Sequence, residues 1–284
     1  MDILIANILD ENQINEVKKL QNRCNKIDGL KNDAFLSNEL NFRKDIPCFY
    51  LAYEGKNLVS FLTTFMPTSS EAEIIAFTDT EYRKKGYFTS LLEEARYIIK
   101  SASVTKILFV VESNSKSGDK VIKRYSSAKC NHSEYTLSCV DKINKSINEE
   151  LCTKLVDANI KENYLYLAKD VFNLPAGEYE NFVQHTIDAI DRDAYIVYYN
   201  DLPIGIFNIN FKDNVSFIYS LGLVTSYRRR GYGKKLLNIA LNKAFEGSEK
   251  VLLDVDSNNL PAYNLYTNNG FNVEYQVDYY SYNI

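Results

Sequence analysis

Tyr82-Arg83-Lys84-Lys85-Gly86-Tyr87 returns 145 residues later as Tyr227-Arg228-Arg229-Arg230-Gly231-Tyr232. The register extends well beyond this basic hexapeptide. Leu91, Leu92 and Ala95 match Leu236, Leu237 and Ala240, and upstream Tyr50-Leu51-Ala52-Tyr53 matches Tyr195-Ile196-Val197-Tyr198. Gly55 stands against Asn200, and residues 58–61 against 203–206, so each copy carries a hairpin ahead of its basic turn. A 284-residue chain that repeats itself in this way is two copies of one unit, each long enough to bury its own core. The domains are expected at 1–145 and 146–284, with the polar run 144–149 as linker.

Hydrophobic periodicity orders each copy. In the first, strands are expected over 2–8, 49–53, 58–65, 73–77, 107–112 and 134–140, and helices over 11–24, 88–100 and 119–127. In the second, strands are expected over 154–158, across the hairpin, and at 217–224, 251–256 and 273–283. Helices are expected over 162–172, 178–190 and 233–246, the last because Leu236, Leu237, Ala240, Leu241 and Ala244 recur at helical spacing.

Residues 228–233 thus form a strand-to-helix turn, and its charge has the wrong sign. A helix N-terminus favours acidic residues by about 0.3–1 kcal/mol each. Here Arg228, Arg229, Arg230, Lys234 and Lys235 crowd that end, while Gly231 and Gly233 let a ligand approach the backbone. A bound polyanion resolves the conflict, since phosphates sit naturally on helix N-termini. A solvated basic turn is the structural alternative.

Arg228-x-x-Gly231-x-Gly233 after a strand resembles the pyrophosphate loop of the GNAT acyltransferases. Asn259-x-x-Ala262-x-x-Leu265-Tyr266, followed by Gly270-Phe271, is similar to that family's second signature. The resemblance is strong in the second copy and weaker in the first. It implies an α/β (α+β) fold of two tandem domains, each a mixed, mostly antiparallel sheet flanked by helices. It further implies an N-acetyltransferase that takes acetyl-CoA as co-substrate, needs no metal, and acts on an amine of a small molecule or peptide. By the same resemblance, Leu223 and Val224 hold the pantetheine arm and the backbone around Arg228, Arg229, Arg230, Gly231, Tyr232, Gly233 and Lys234 holds the pyrophosphate. Asn259 contacts the cofactor, and Tyr266 is the general acid.

A phenol of pKa near 10 protonates a thiolate whose conjugate acid lies near 8.5 at a cost of roughly 2 kcal/mol, which suits the role. A tyrosine simply packed in its helix is the alternative, in a chain that holds 22 of them. Asp254 stands twelve residues before Tyr266, where some relatives carry a glutamate assigned as base. A carboxylate lies about six pKa units below an alkyl ammonium, so direct transfer costs on the order of 8 kcal/mol. Asp254 therefore needs burial, a water relay or a merely electrostatic role; a strand-end surface carboxylate is the alternative.

The first copy departs from the pattern. Phe88 replaces the second loop glycine, Thr78 stands where Leu223 does, Val110 where Asp254 does and Ser115 where Asn259 does. It is expected to bind CoA weakly or not at all. The acceptor is expected near 174–180 and 275–280, whose polar and aromatic residues select no particular amine.

Other classes fit less well. Acidic residues outnumber basic ones by 37 to 33, which argues against nucleic acid or an anionic membrane as partner. No apolar run approaches the roughly 20 residues of a membrane helix, and the Met1-Asp2-Ile3 start lacks signal-peptide form, so a cytoplasmic location is expected. The five cysteines show no metal-ligand spacing, and His132 and His185 lie far apart. A non-catalytic acyl-CoA sensor and a transferase of another acyl group are the remaining alternatives, and oligomeric state is unknown from sequence.

Overall fold

In the computed structural model, which describes residues 1–141, 150–172, 184, 186–189 and 191–284, the elements follow the two-copy order but two strands change partners. The expected linker, His185 and most of the expected helix 178–190 lie outside the described residues.

The first compact unit comprises Met1–Glu134 with Tyr275–Ile284. Its elements are β1 (Asp2–Ala6), α1 (Glu11–Asp28), β2 (Phe49–Glu54), β3 (Asn57–Phe65), β4 (Ala72–Thr78), α2 (Tyr87–Ser101), β5 (Lys106–Glu112), α3 (Lys116–Ile122) and the start of β6 (Lys129–Cys139). β1 to β4 pair in sequence as an antiparallel meander, and β4 then pairs parallel with β5. The second unit is Tyr135–Glu274. It holds β7 (Leu151–Leu155), α4 (Lys161–Phe172), β8 (Arg192–Tyr199), β9 (Leu202–Lys212), β10 (Val215–Leu223), α5 (Tyr232–Ala244), β11 (Lys250–Asp256), α6 (Leu260–Thr267) and the start of β12 (Asn272–Asn283). Here β7 to β10 form the meander and β10 pairs parallel with β11. Each unit is thus a mixed, mostly antiparallel sheet flanked by helices. No helix among the described residues is long and apolar enough to cross a membrane.

Burial explains the sequence patterns. Central strands carry near-continuous apolar runs because helices cover both faces. In the first unit Leu91, Leu92, Ala95 and Ile99 of α2 join Ile74, Ile107 and Phe109, while Val17 and Leu20 of α1 join Phe49, Leu51 and Phe61. In the second, Leu236, Leu237 and Ala240 of α5 join Phe207, Val251 and Leu253, and Tyr164 and Leu167 of α4 join Ile196 and Ile206. Each buried Leu, Ile, Val or Phe among them contributes roughly 1.5–3 kcal/mol.

Caps move several boundaries. Asp10 and Gln13 form a capping box that starts α1, and Gly29, at φ 70°, ends it after Asp28 rather than at Cys24. Ser115 accepts from the Gly118 amide, so α3 begins at Lys116 and ends at Ile122, earlier than the expected 119–127. The strand expected at 154–158 is β7, Leu151–Leu155, because its register against β8 pairs Leu151 with Tyr199.

The larger correction concerns the closing strands. Residues 134–140 and 273–283 read as the last strand of their own copies. Instead, β12 leaves the second unit, and Val277–Asn283 pair antiparallel with Glu112–Lys106 of β5. β6 passes the other way, its residues from Tyr135 lying beside β11. Periodicity specifies a strand, but only long-range pairing selects its neighbour. The stretch 275–280, expected beside the second copy's site, accordingly belongs to the first unit, and 174–180 lies outside the described residues.

Candidate active site

β10 and β11 pair only at Val215–Lys250, Ser216–Val251 and Phe217–Leu252, and beyond that point no ladder joins them. A bulge accompanies the divergence. Between Tyr219 and Gly222 strand β10 carries one more residue than β9, with Ser220 at φ 51°. The crowding there demands glycine. A Cβ on Gly222 would lie 2.2 Å from Val171 Cγ1, and one on Gly205 would lie 2.6 Å from the Gly222 carbonyl oxygen. Sequence reading missed both, although two glycines inside strand patterns are a signal of close backbone approach. β4 of the first unit has no such bulge and pairs with β3 in unbroken register from Glu73 to Thr78.

After β10 the chain makes a 3-10 turn (Thr225–Tyr227), and Arg228 is extended. Arg229 (φ 58°) and Gly231 (φ 86°) are left-handed, after which α5 starts at Tyr232. A glycine is therefore required at 231 by the backbone turn itself. No side chain caps α5 and no acid stands in its first turn, so its leading N–H groups point outward uncapped.

The basic residues of this loop divide by role. Arg228 donates to the Leu223 carbonyl (2.9 Å) and to the Val171 carbonyl (2.8 Å), which ties the loop to β10 and α4. The Arg230 guanidinium lies over the Tyr227 ring at 5.6 Å. Lys235 pairs with Glu150 at 2.5 Å. Arg229 and Lys234 are exposed and have no acidic partner among the described residues. Tyr199, Tyr227 and Tyr232 pack edge to face beneath the turn, and the hydrogen bond between Tyr232 and Tyr199 pushes the Tyr232 phenol up to about 12.

Leu223 and Val224 close β10, each about nine-tenths buried. The Val224 amide donates to Ile204 and its carbonyl accepts from Tyr227, so what remains for a ligand is the second lone pair of each carbonyl. Asn259 caps α6 by accepting from the Ala262 amide at 3.2 Å, which leaves its NH₂ group available.

Tyr266 sits on α6 within the core cluster that includes Leu253 and Val255 and packs against Phe271, ring centroids 5.8 Å apart. Burial alone pushes its phenol up to about 12. No protein group hydrogen-bonds to its hydroxyl among the described residues. α5 brings Gly233 beside Leu265, the residue before Tyr266, so loop and tyrosine share one neighbourhood. Asp254 lies elsewhere. Strand alternation turns Leu253 and Val255 into that core and Asp254 to the opposite, exposed face, where it accepts from Thr136 Oγ1 of β6 at 2.5 Å. Thr136 is a partner that only the strand exchange provides.

Cys24, Cys48 and Cys139 are buried and form no disulfide, whereas Cys130 and Cys152 are exposed. Among the described residues no group of three His, Cys, Asp or Glu side chains is placed to hold a metal.

The acetyltransferase (GNAT) family model matches residues 147–271. No curated protein matches the sequence significantly. Solved structures resemble the chain along its length. A GCN5-related N-acetyltransferase from Sphaerobacter thermophilus aligns with TM-score 0.80 at 15% identity, covering 99% of this chain and 95% of that one. A tandem GNAT protein from the clavulanic acid biosynthesis pathway gives TM-score 0.73 at 12% identity, with 99% and 98% covered. A GNAT-family acetyltransferase from Colwellia psychrerythraea gives 0.68 at 13%, with 99% and 100% covered. These likenesses establish the fold, and the stretch that the GNAT family model matches includes the diverging strands and the uncapped helix of the second unit.

Proposed function

We propose that the chain is two GNAT domains in tandem, bounded near residue 145, and transfers an acetyl group from acetyl-CoA to a primary amine of a small molecule or peptide. The chemistry is assigned to the second domain. One observation carries this reading: the gap between β10 and β11 opens onto a helix N-terminus that is uncapped, free of acids and flanked by Arg229 and Lys234.

In this reading the first-turn amides of α5 hold the pyrophosphate, with Arg229 and Lys234 supplying countercharge. The pantetheine arm runs between the diverging strands past the Leu223 and Val224 carbonyls. The amine attacks the thioester carbonyl, the C–S bond breaks, and Tyr266 protonates the departing thiolate. A phenol near 12 is about 3.5 pKa units above an ordinary thiol, a cost of about 5 kcal/mol for full transfer. The apolar surroundings that raise the phenol also raise a thiol held beside it, which narrows the gap. Asp254, exposed and bound to Thr136, acts through water or by holding the ammonium rather than by direct abstraction.

That exposure favours a second reading, an acyl-CoA-binding protein that does not turn over. Thiol release from acetyl-CoA, measured across a panel of polyamines, amino acids, aminoglycosides and peptides, separates the two. Turnover that disappears in Gly231→Trp supports the transferase. Acetyl-CoA binding without release of thiol to any amine supports the second reading, and no binding at all defeats both.

A further inference from the structure

By sequence β6 is the closing strand of the first copy, yet from Tyr135 onward it belongs to the second compact unit and stands beside β11. Its side chains are spent on that unit. Leu137 and Cys139 are buried in the same core cluster as Leu253, Val255 and Tyr266. Strand alternation turns Thr136 to the other face, where its side chain is buried against Asp254.

Each face of this short strand meets an element assigned to the chemistry. On one, the Tyr135 and Tyr263 rings pack with centroids 5.3 Å apart. Tyr263 lies one helical turn before Tyr266 on α6, so β6 braces the helix that carries the phenol. On the other, Thr136 Oγ1 donates to Asp254 Oδ1 at 2.5 Å.

The partners in that hydrogen bond are unequal. Thr136 is 6% exposed, whereas Asp254 is exposed. An exposed carboxylate is already hydrated and needs no protein donor, so the bond adds little to the stability of the fold. What it supplies is direction. Threonine is β-branched and stiff at χ1, and here it is packed on a strand, so its hydroxyl is a fixed point. A surface carboxylate that would otherwise turn freely is held in one orientation, the kind of preorganisation that a charged substrate group exploits.

We propose that β6 is a working part of the catalytic unit and that Thr136 is a positioning residue, which aims the Asp254 carboxylate at the ammonium group of the acceptor. The inference rests on the acetyltransferase reading of the second unit. Acceptor recognition then depends on a strand that comes from the first copy's sequence, while the acetyl-CoA seat depends on β10 and α5 of the second. The two respond separately to substitution. Tyr266 lies with Leu253 and Val255 on one face of β11 and Asp254 lies on the other, so the amine is held on the face away from the group that protonates the thiolate.

Steady-state kinetics of thiol release by the full chain, with spermidine and with the fastest amine of the panel, test this alongside calorimetric binding of acetyl-CoA. Thr136→Val is expected to raise KM for the amine about fivefold, with kcat within about twofold of native and the Kd for acetyl-CoA unchanged. Thr136→Ser keeps the hydroxyl and should return KM to within about twofold of native. In an Asp254→Asn background Thr136→Val should have no further effect on KM, because the group it positions is gone. A Thr136→Val variant with native KM overturns the proposal. So does one in which kcat, KM and acetyl-CoA binding all decline together and Thr136→Ser restores none of them. Either result leaves acetyl transfer by the second unit standing. A native chain that binds acetyl-CoA but releases thiol to no amine overturns the reading on which the proposal rests, and the proposal with it.

Discussion

Arg228 donates from Nε to the Leu223 carbonyl at 2.9 Å, and 145 residues earlier Arg83 makes the same bond to Thr78 at 3.0 Å. In each unit the first arginine of the basic turn fastens the loop to the strand before it. The second guanidinium contact differs, reaching the Val171 carbonyl in one unit and Asp28 in the other, and both are on the helix that covers that strand. Arg228 is thus engaged with the protein's own backbone, and Arg229 and Lys234 are cations of the same loop with no acidic partner among the described residues.

Arg228→Ala is expected to lower stability by about 1.5–3 kcal/mol through loss of two charge-assisted bonds. Arg229→Ala should leave the thermal midpoint within a degree or so of native yet weaken acetyl-CoA binding by about tenfold, roughly 1.4 kcal/mol. Thermal melts paired with calorimetry at two salt concentrations distinguish them, because only the Arg229 variant should show a reduced salt dependence.

Tyr266→Phe removes a hydroxyl without a protein partner, so stability near neutrality should hold while kcat falls by roughly 10²- to 10⁴-fold. The pH dependence follows from the raised phenol. A group that binds its proton more tightly when folded contributes stability below its unfolded pKa near 10, and this is lost as pH rises through about 12. Tyr266→Phe should therefore lose less stability than native between pH 10 and 12, as read by chemical denaturation at each pH.

Asp254→Asn should lower kcat/KM if the carboxylate steers the amine, and Thr136→Val, which leaves the charge in place but removes its hydroxyl partner, should lower it less. Unchanged kcat/KM in Asp254→Asn would remove this residue from the mechanism.

Burial, followed by repulsion from Glu134 and then Glu71, pushes the Glu73 carboxyl up to about 7. Its stabilising contribution is complete below about pH 4.5 and is lost as pH rises through 7. Above that, holding the charge costs up to about 3 kcal/mol. Glu73→Gln should raise the unfolding midpoint at pH 8 and leave it unchanged near pH 4.5.

Ending the chain at Glu274 strips β5 of its antiparallel neighbour and removes Tyr280 and Tyr282 from the first unit's core. Hydrogen exchange should show protection lost across β5 and retained in β9 and β10.

Much of this was legible in the order of residues. The 145-residue repeat, the apolar runs of the central strands, the amphipathic helices and the glycine-bearing basic turn are local patterns with local causes, and each appears close to where the sequence places it. The chemistry of the site was only partly legible. That Tyr266 is buried and Asp254 exposed follows from the face each presents, and that Arg228 is spent on carbonyls follows from where β10 and α4 meet. Only the tertiary structure decided that β12 completes the first unit and that β6 completes the second. Strand pairing arises between residues far apart in the chain, and no periodicity records which edge a strand will meet.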